Sequence, residues 1–512
     1  MLRHLFINLR PLLLSVALVS CIAGVTLGDG PPPQAGNLLQ NGSFMVSGAA
    51  ALNDWNQINP KNPVTADSEG TDTYITAANA DGASTSGVEQ DLPAQTQWSK
   101  VLLRGYIRVI YTGAVSPSDA QSQAPFVGVQ ISYVDISGHR SRIPNLDSWL
   151  YTTPGWVEIN QLVTVPPVAS NLIIEPEVDS AIATAYFKKL TLVSWVQTFH
   201  DGFDGTSLDL SRWTATTGQH NVRADEQEWF VPDEVTVANN QVRIRAEQKQ
   251  TGTLPYTSGQ ISTVNKFQQL YGLFEFQLKL PVTDGAWPAA YLLAWDDDWP
   301  PEIDVQELAG REPEKVLNTN HYPDEYGRRR ASNVNFPADG LDRTQWHTYS
   351  VVWEPGEAAW YLDGVYKGTT GKPYDDVSEI PMYMTINLAV GAFGGDPSQS
   401  TWPQDYYCRG VDVYQRGDLP LPLYPEDSQE ITLPNNSATL SAISCSPQDE
   451  IFSTWSLVEG PAPVLIRSPH SLTTSAVFNR PGMYKFQIKV AKGSDTNAAQ
   501  LLVYVNRPLG GR

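Results

Sequence analysis

Glu302-Ile303-Asp304-Val305-Gln306-Glu307 sets three carboxylates within six residues, with apolar Ile303 and Val305 between them. The length and the alternation suit a β-strand, in which successive side chains point to opposite faces. Glu302 and Asp304 then share one face, and Ile303 packs into the sheet. Strict alternation would turn Glu307 to the other face. One β-bulge at Val305-Gln306 restores the parity and returns Glu307 to the side of the other acids. The Cα atoms of Glu302 and Glu307 would then stand roughly 13 Å apart, from four steps of ~3.3 Å. Two inward-leaning side chains narrow that gap to about 5–5.5 Å, at which one carboxylate can attack while the other handles the proton. Three acids on one face repel one another, so at least one must titrate high, as a general acid near neutral pH requires. The plainer readings are a solvated acidic face or a calcium site. Calcium ligands, however, come mostly from loops whose carbonyls also reach the ion.

Around this strand the chain has an all-β texture. Of 512 residues, 38 are Gly, 38 Pro, 15 Trp and 22 Tyr, while only 17% are charged. Many turn formers and aromatics with few charges fit short strands and tight turns, and the length calls for several domains. A formal charge of −21 leaves nothing to neutralise a row of phosphates, so nucleic acid is excluded as a partner. The same charge disfavours a strongly anionic polymer unless a local basic patch overrides it.

Residues 1–36 read as an export signal and a tether. Arg3 and Arg10 precede a short apolar core, Pro11 to Gly24, and Pro31-Pro32-Pro33 closes an extended segment. Leu18-Val19-Ser20-Cys21 resembles the bacterial lipobox, which makes Cys21 a candidate for lipidation. No later stretch is apolar enough to span a bilayer. The expectation is a secreted protein or a bacterial cell-surface or outer-membrane lipoprotein, monomeric, touching membrane only through an N-terminal lipid. Cys408 and Cys445 fall in different expected domains, which favours two buried free thiols over a disulfide.

Residues 37–195 read as a β-sandwich. Asn37 to Phe44 and Trp55 open it, Val101–Tyr111, Val127–Val134 and Trp156–Val165 are strand-like, and Ala185 to Val193 closes it. Its start resembles jelly-roll carbohydrate-binding modules. Trp149, Tyr151 and Trp156 are candidates for stacking on sugar rings, against the alternative that they are core or rim. After the linker Pro420 to Pro425, residues 426–508 read as a small β-module. Its strand candidates are 431–440, 452–455, 482–490 and 500–505, and it resembles a PKD-type immunoglobulin-like domain.

Residues 196–418 resemble glycoside hydrolase family 16, whose bulged members carry Glu-x-Asp-x-x-Glu on one strand. The ordered matches are Phe203 to Trp213, Tyr256 to Gln260, Tyr271 to Pro281, Gly285 to Tyr291, His347 to Trp353, Trp360 to Gly364, Ile386 to Gly391 and Val413 to Gln415. The resemblance implies a concanavalin-like β-jelly-roll with a long cleft and a retaining double displacement. It makes Glu302 the nucleophile, Glu307 the acid/base, and Asp304 the residue that tunes their charge. It also places Trp287 and Trp299 near the cleaved sugar, with Trp295 and Trp402 as further candidates. His321 follows 14 residues after the motif strand, where a hairpin return can carry it beside the acids.

Two departures bear on cofactors and contacts. Where many family members bind a structural calcium, this chain has Gly202 and Arg409, so no cofactor and no calcium are expected. Glu228 stands where the family often has Gln, which alters the sugar contacts expected there.

The leading functional expectation is an endo-acting β-1,3- or mixed β-1,3-1,4-glucanase, similar to laminarinases. A galactan hydrolase of the agarase or carrageenase type is the rival on the same fold. Its support is Arg328-Arg329-Arg330, which can bind sulfates or can be a solvated loop. A transglycosylase is a variant of the second step. A noncatalytic glucan-recognition protein is the alternative from another class, and retention of all three acids argues against it.

Overall fold

The computed structural model describes residues 37–507 except 45–51, 70–71, 83, 94–97, 115–124, 219–224, 296–298, 338–339, 372, 419–422, 426–428, 445–450 and 493–494. The expected export signal, Cys21, the tether and Cys445 lie outside the described residues. Strands account for nearly all regular structure; helix among the described residues amounts to three single 3-10 turns. None of the helical segments is long and apolar enough to cross a membrane.

Three strands of the N-terminal part extend toward the centre of the chain or pair with strands there: β1 (Trp98–Ala114), β2 (Val157–Thr164) and β3 (Ala181–Asp201). With Thr65–Glu69 and Asp72–Asn79 they form one side of a sandwich whose other sheet has five strands. The two enclose a core that includes Phe44, Trp55, Val101, Ile107, Val129, Ile174 and Phe187. Residues 37–44, read from sequence as strand texture, are instead a turn-rich segment. They dock on β3 through Leu38 N to Leu192 O and Leu190 N to Gly42 O, and bury Leu39 and Phe44.

The central part carries β4 (Gly272–Lys279), β5 (Ala286–Ala294), β6 (Glu302–Glu307), β7 (Lys315–Pro323) and β8 (Arg329–Asn333). After them come β9 (His347–Glu354), β10 (Glu357–Leu362), β11 (Val365–Gly371), β12 (Met382–Val390) and β13 (Gln404–Arg416). Strands β12, β5, β6, β7 and β8 lie side by side in the sheet that bears the acids. The second sheet contains β13, β4, β9, β10 and β11. Between the sheets lies the largest apolar core, with Trp213, Phe274, Phe276, Ile303, Val305, Trp353, Trp360 and Ile386.

The second sheet is covered on both faces here, so Gly272–Lys279 is buried or half-buried throughout although Glu275, Gln277 and Lys279 alternate with its apolar residues. Phe274, Phe276 and Leu278 face the central core. Leu273 and Glu275 face the N-terminal part, because β3 runs out of the first sandwich and pairs with β13. At the other edge β11 meets β2 through Val365 and Gln161. The strand order β13-β4-β9-β10-β11-β2-β1-β3 therefore closes on itself. Inside this ring are Leu102, Trp195, Leu273, Val352, Ala359, Tyr361 and Tyr414. Charges among them are paired. Lys100 Nζ meets Glu275 at 2.9 Å, and Arg104 meets Glu354 at 3.0 Å and Glu357 at 2.8 Å. Arg416 also reaches Glu354, at 3.2 Å.

The C-terminal residues form two four-stranded sheets around Trp455, Tyr484, Phe486 and Val503. The single strand expected over 431–440 is two, Gln429–Thr432 and Ser437–Ser444, in different sheets. Leu433-Pro434-Asn435-Asn436 forms the turn between them, because proline cannot donate to a ladder and asparagine favours turns.

Arg104 joins two carboxylates of the ring, Glu354 and Glu357. Substituting Arg104→Met is expected to destabilise the folded chain by up to about 3–5 kcal/mol, the cost of stranding buried acids. The upper figure is softened by Arg416, which still holds Glu354. Denaturant unfolding of the full chain measures it; an unchanged midpoint would show that the closed ring contributes nothing through this pair.

Candidate active site

The register around β6 shows why the three acids meet. On the β7 side Glu302 lies opposite His321 and Asp304 opposite Thr319, but Glu307 lies opposite Leu317. Three residue steps on β6 thus face two on β7. On the β5 side Tyr291 opposes Asp304 and Ala290 opposes Gln306, so Val305 is the extra residue. This is the bulge that the alternation of the sequence requires. Val305 and Gln306 both turn into the core: Val305 is fully buried, and the Gln306 amide accepts from the Tyr406 hydroxyl at 2.8 Å and donates to Pro288 O at 3.2 Å. Glu307 is thereby returned to the open face with Glu302 and Asp304.

A bulge frees backbone groups from the ladder, and a buried carbonyl left without a donor is costly. Here two side chains supply the donors. Trp360 Nε1 donates to Asp304 O at 2.9 Å, and Asn318 Nδ2 donates to Val305 O. Neither residue could be picked out from sequence, since each looks like ordinary strand interior.

The acids are buried and act on one another. Burial first, then the Asp304 charge, pushes Glu302 up to about 8; the Trp299 indole N–H, which donates to this carboxylate, and His321 pull the other way. Burial and the Glu302 charge push Glu307 up to about 7, opposed by Trp287 Nε1, which donates to Glu307 Oε1 at 2.9 Å. Asp304 is driven well above the usual carboxylate range by burial and then by Glu307. Near neutral pH the trio therefore holds fewer than three charges, and at least one proton stays within it.

His321 Nε2 lies 3.2 Å from Asp304 Oδ2, without the alignment of a hydrogen bond, and its ring sits 5.6 Å from that of Trp299. Burial lowers its pKa, so it faces the acids as neutral imidazole at neutral pH. Glu302, Asp304 and His321 offer atoms close enough to hold a metal ion together. The raised carboxyl pKa values suit shared protons equally well.

Of the residues singled out from sequence, Glu302, Asp304, Glu307, Trp287, Trp299 and His321 come together. Trp295 does not: it sits just beyond β5, its backbone N–H bonded to Pro381 O, with no hydrogen bond or ring contact to the acids. Trp402 packs on Tyr256 at 5.0 Å and donates to Pro397 O, a structural role. Glu228 is buried with one oxygen accepting from Val390 N, so it serves the fold and not the open face. In the N-terminal sandwich Trp149 is buried in the core, as the core-or-rim alternative has it, and is not available for stacking. Tyr151 is 53% exposed, and Trp156 is half-buried with Lys188 4.3 Å and Arg108 5.0 Å over its ring.

Sequence reading missed Tyr291, although two-residue steps along β5 from Trp287 lead to it. It lies opposite Asp304 and is half-buried on the same face as Trp287 and Leu293. Beyond Glu307 a cavity of about 330 Å³ is lined by Arg311, Lys315, Thr319, Asn333, Asn335 and Phe393, among others. Phe393 packs edge-on against Trp287 at 5.3 Å, and Arg311 lies 5.3 Å over Phe393.

Residues 219–407 match the family described as Glycosyl hydrolases family 16, and residues 426–505 match a PKD domain family. Among curated proteins the chain is similar to the endo-1,3-1,4-beta-glycanase EglC of Rhizobium meliloti. The two are 34% identical over 226 residues, covering 40% of this chain and 48% of that protein. It is also similar to the glucan endo-1,3-beta-glucosidase A1 of Niallia circulans, at 31% identity over 255 residues, 42% of this chain and 37% of that one. The solved catalytic domain of an endo-1,3-beta-glucanase (laminarinase) from Thermotoga petrophila aligns at 27% identity. That alignment covers 44% of this chain and 100% of the domain, with a TM-score of 0.41. The chain spans half or less of the length of these curated relatives.

The geometry sets two expected outcomes. Deleting Gln306 removes the bulge, turns Glu307 toward the core and is expected to abolish turnover on any substrate the wild type accepts. A folded, active deletion variant, judged by thermal unfolding and rate together, would refute the register. The raised carboxyls also have a stability signature. Because the native state binds more protons than the unfolded chain between about pH 4.5 and 8, stability falls as pH rises through that window. Glu307→Gln, which cannot ionise, should match the wild type near pH 4 and exceed it by about 1–3 kcal/mol at pH 8. Denaturant titrations across pH report the difference, and parallel curves would count against the burial-raised carboxyl.

Proposed function

We propose, from the premise that this chain carries a glycoside hydrolase family 16 domain, that it cleaves β-1,3- or mixed β-1,3-1,4-glucan internally and with retention of configuration. The observation that carries this reading is the single bulge that sets two buried Glu residues on one face with an Asp between them. In the proton arrangement of the coupled trio that leaves Glu302 ionised and Glu307 protonated, Glu302 attacks the anomeric carbon and forms a glycosyl-enzyme, while Glu307 protonates the leaving oxygen. Glu307 then takes a proton from water, which attacks the same carbon and releases Glu302. Asp304 holds a proton between the two and keeps their charges from accumulating. Trp299 steadies the Glu302 carboxylate by its N–H, and Trp287 does the same for Glu307. The reaction needs no cofactor. The glucan preference is supported by the names of the relatives, two of which are a 1,3-1,4-beta-glycanase and an endo-1,3-beta-glucosidase.

The accessory regions take their roles in this reading from sequence. The first 36 residues export the protein, with Cys21 as the lipidated residue, and the N-terminal sandwich holds polysaccharide. Exposed Tyr151 supports the latter as a ring available for stacking.

The test is product analysis with laminarin, mixed-linkage glucan, agarose and κ-carrageenan. Oligosaccharides are expected from the first two only, and release from the galactans alone would overturn the glucan reading. Glu302→Gln and Glu307→Gln are each expected to lower kcat by at least about 10²–10⁴-fold. Azide should restore turnover to Glu307→Ala on an activated aryl glycoside, as a glycosyl azide of retained configuration. Near wild-type turnover by Glu302→Gln would remove it as nucleophile.

A further inference from the structure

The three consecutive arginines after His321 are not equivalent. Arg328 and Arg330 both bind Asp324, through Arg328 Nε at 2.8 Å and Arg330 Nη2 at 3.0 Å. Arg329 opens β8, where Ala331 lies opposite His321 and Asn333 lines the cavity beside Glu307. Alternation puts Arg329, Ala331 and Asn333 on one face, the face of the acids. There the Arg329 guanidinium carbon lies 4.4 Å over the Trp299 ring, the same ring whose N–H donates to Glu302. Among the described residues no carboxylate pairs with Arg329; Asp296–Asp298, just before Trp299, lie outside them.

A guanidinium laid on an indole keeps its edge free. That edge presents parallel N–H donors, which match two oxygens of one carboxylate or sulfate, whereas a neutral hydroxyl takes only one. The ring also restrains the side chain, so less freedom is lost when an anion binds. Trp299 is itself 38% exposed, so the stack stands at the surface where a bound sugar would meet it. The fold provides a carboxylate for each neighbouring arginine and none, among the described residues, for this one.

We propose that Arg329 is a specificity residue that reads an anionic oxygen substituent, carboxylate or sulfate, on the sugar bound at the Glu302 end of the site. The domain would then favour decorated chains over bare ones. This rests on the glucan reading above and adds to it a preference for substituted chains. It also reassigns the basic run: one arginine faces the substrate and two secure the turn.

The experiment compares kcat/KM of the full chain on laminarin, on the same laminarin lightly carboxymethylated, and on the same laminarin lightly sulfated. Wild type is expected to prefer at least one anionic form, and Arg329→Gln to lose about tenfold or more of that preference, as befits hydrogen bonds to a charged group. Arg329→Lys, which keeps the charge but not the fork, should fall between. Preference confined to one anionic form identifies that group as the ligand. Equal rates for wild type on all three polymers would overturn the inference alone. So would an Arg329→Gln variant that loses rate equally on all three, since the arginine would then only position Trp299. Failure of wild type to cleave any laminarin overturns the glucan reading and this inference with it, a result distinct from both.

Discussion

The single extra residue in β6 is the constraint on which the site depends. Without Val305 the strand would carry Glu302 and Asp304 on one face and turn Glu307 to the other, into the apolar core between the sheets. A buried unpaired carboxylate of that kind is among the most destabilising substitutions a core can suffer. With the bulge, the acids meet, the core receives Val305 and Gln306, and two carbonyls leave the ladder. Trp360 and Asn318 satisfy those carbonyls. The proposed catalytic geometry is therefore fixed by backbone accounting as much as by the acids.

That accounting ties the site to the rest of the chain. Trp360 belongs to β10, whose next residue, Tyr361, points the opposite way. Trp360 reaches through the core to the bulge, and Tyr361 donates its hydroxyl to Asn160 of the N-terminal sandwich. One strand thus contacts the bulge on one face and the closed ring of strands on the other. Because a packed sheet has little slack, the ring holds β10 in place and β10 holds the indole under Asp304.

Much of this was legible in the sequence, and for local reasons. Period-two alternation places Ile303 and Glu302 on opposite faces whatever the partner strands are, and parity alone demands a bulge before Glu307. The ordered motifs around it imply the family 16 domain that the comparisons also find. Other features needed long-range contacts. The ring of strands depends on β3 meeting β13 more than two hundred residues away. Nothing local distinguishes Arg104 from a solvated arginine. Sequence leaves Trp149, Tyr151 and Trp156 alike between core and binding face, and only the packing separates buried Trp149 from exposed Tyr151. In Arg328-Arg329-Arg330, composition suggests one basic patch; only the strand register and Asp324 divide it.

Charge separates the two ends of the site. The chain carries a formal −21 and gathers three of its acids at β6, yet burial keeps those acids partly protonated, so the site is less negative than its composition implies. Arg329 stands on the Glu302 side, and Arg311 and Lys315 border the cavity on the Glu307 side, where Glu312 holds Lys315 at 2.7 Å. Along the open face of β6 the site therefore runs from the Arg329 guanidinium, over carboxyls that share protons, to a cavity whose lysine is already neutralised. In so acidic a protein the net field disfavours an anion, and screening limits that repulsion to about 8–10 Å at physiological salt. Within that distance of Arg329 a local cation acts against the distant field, so overall charge alone is a poor guide to what binds at this end of the site.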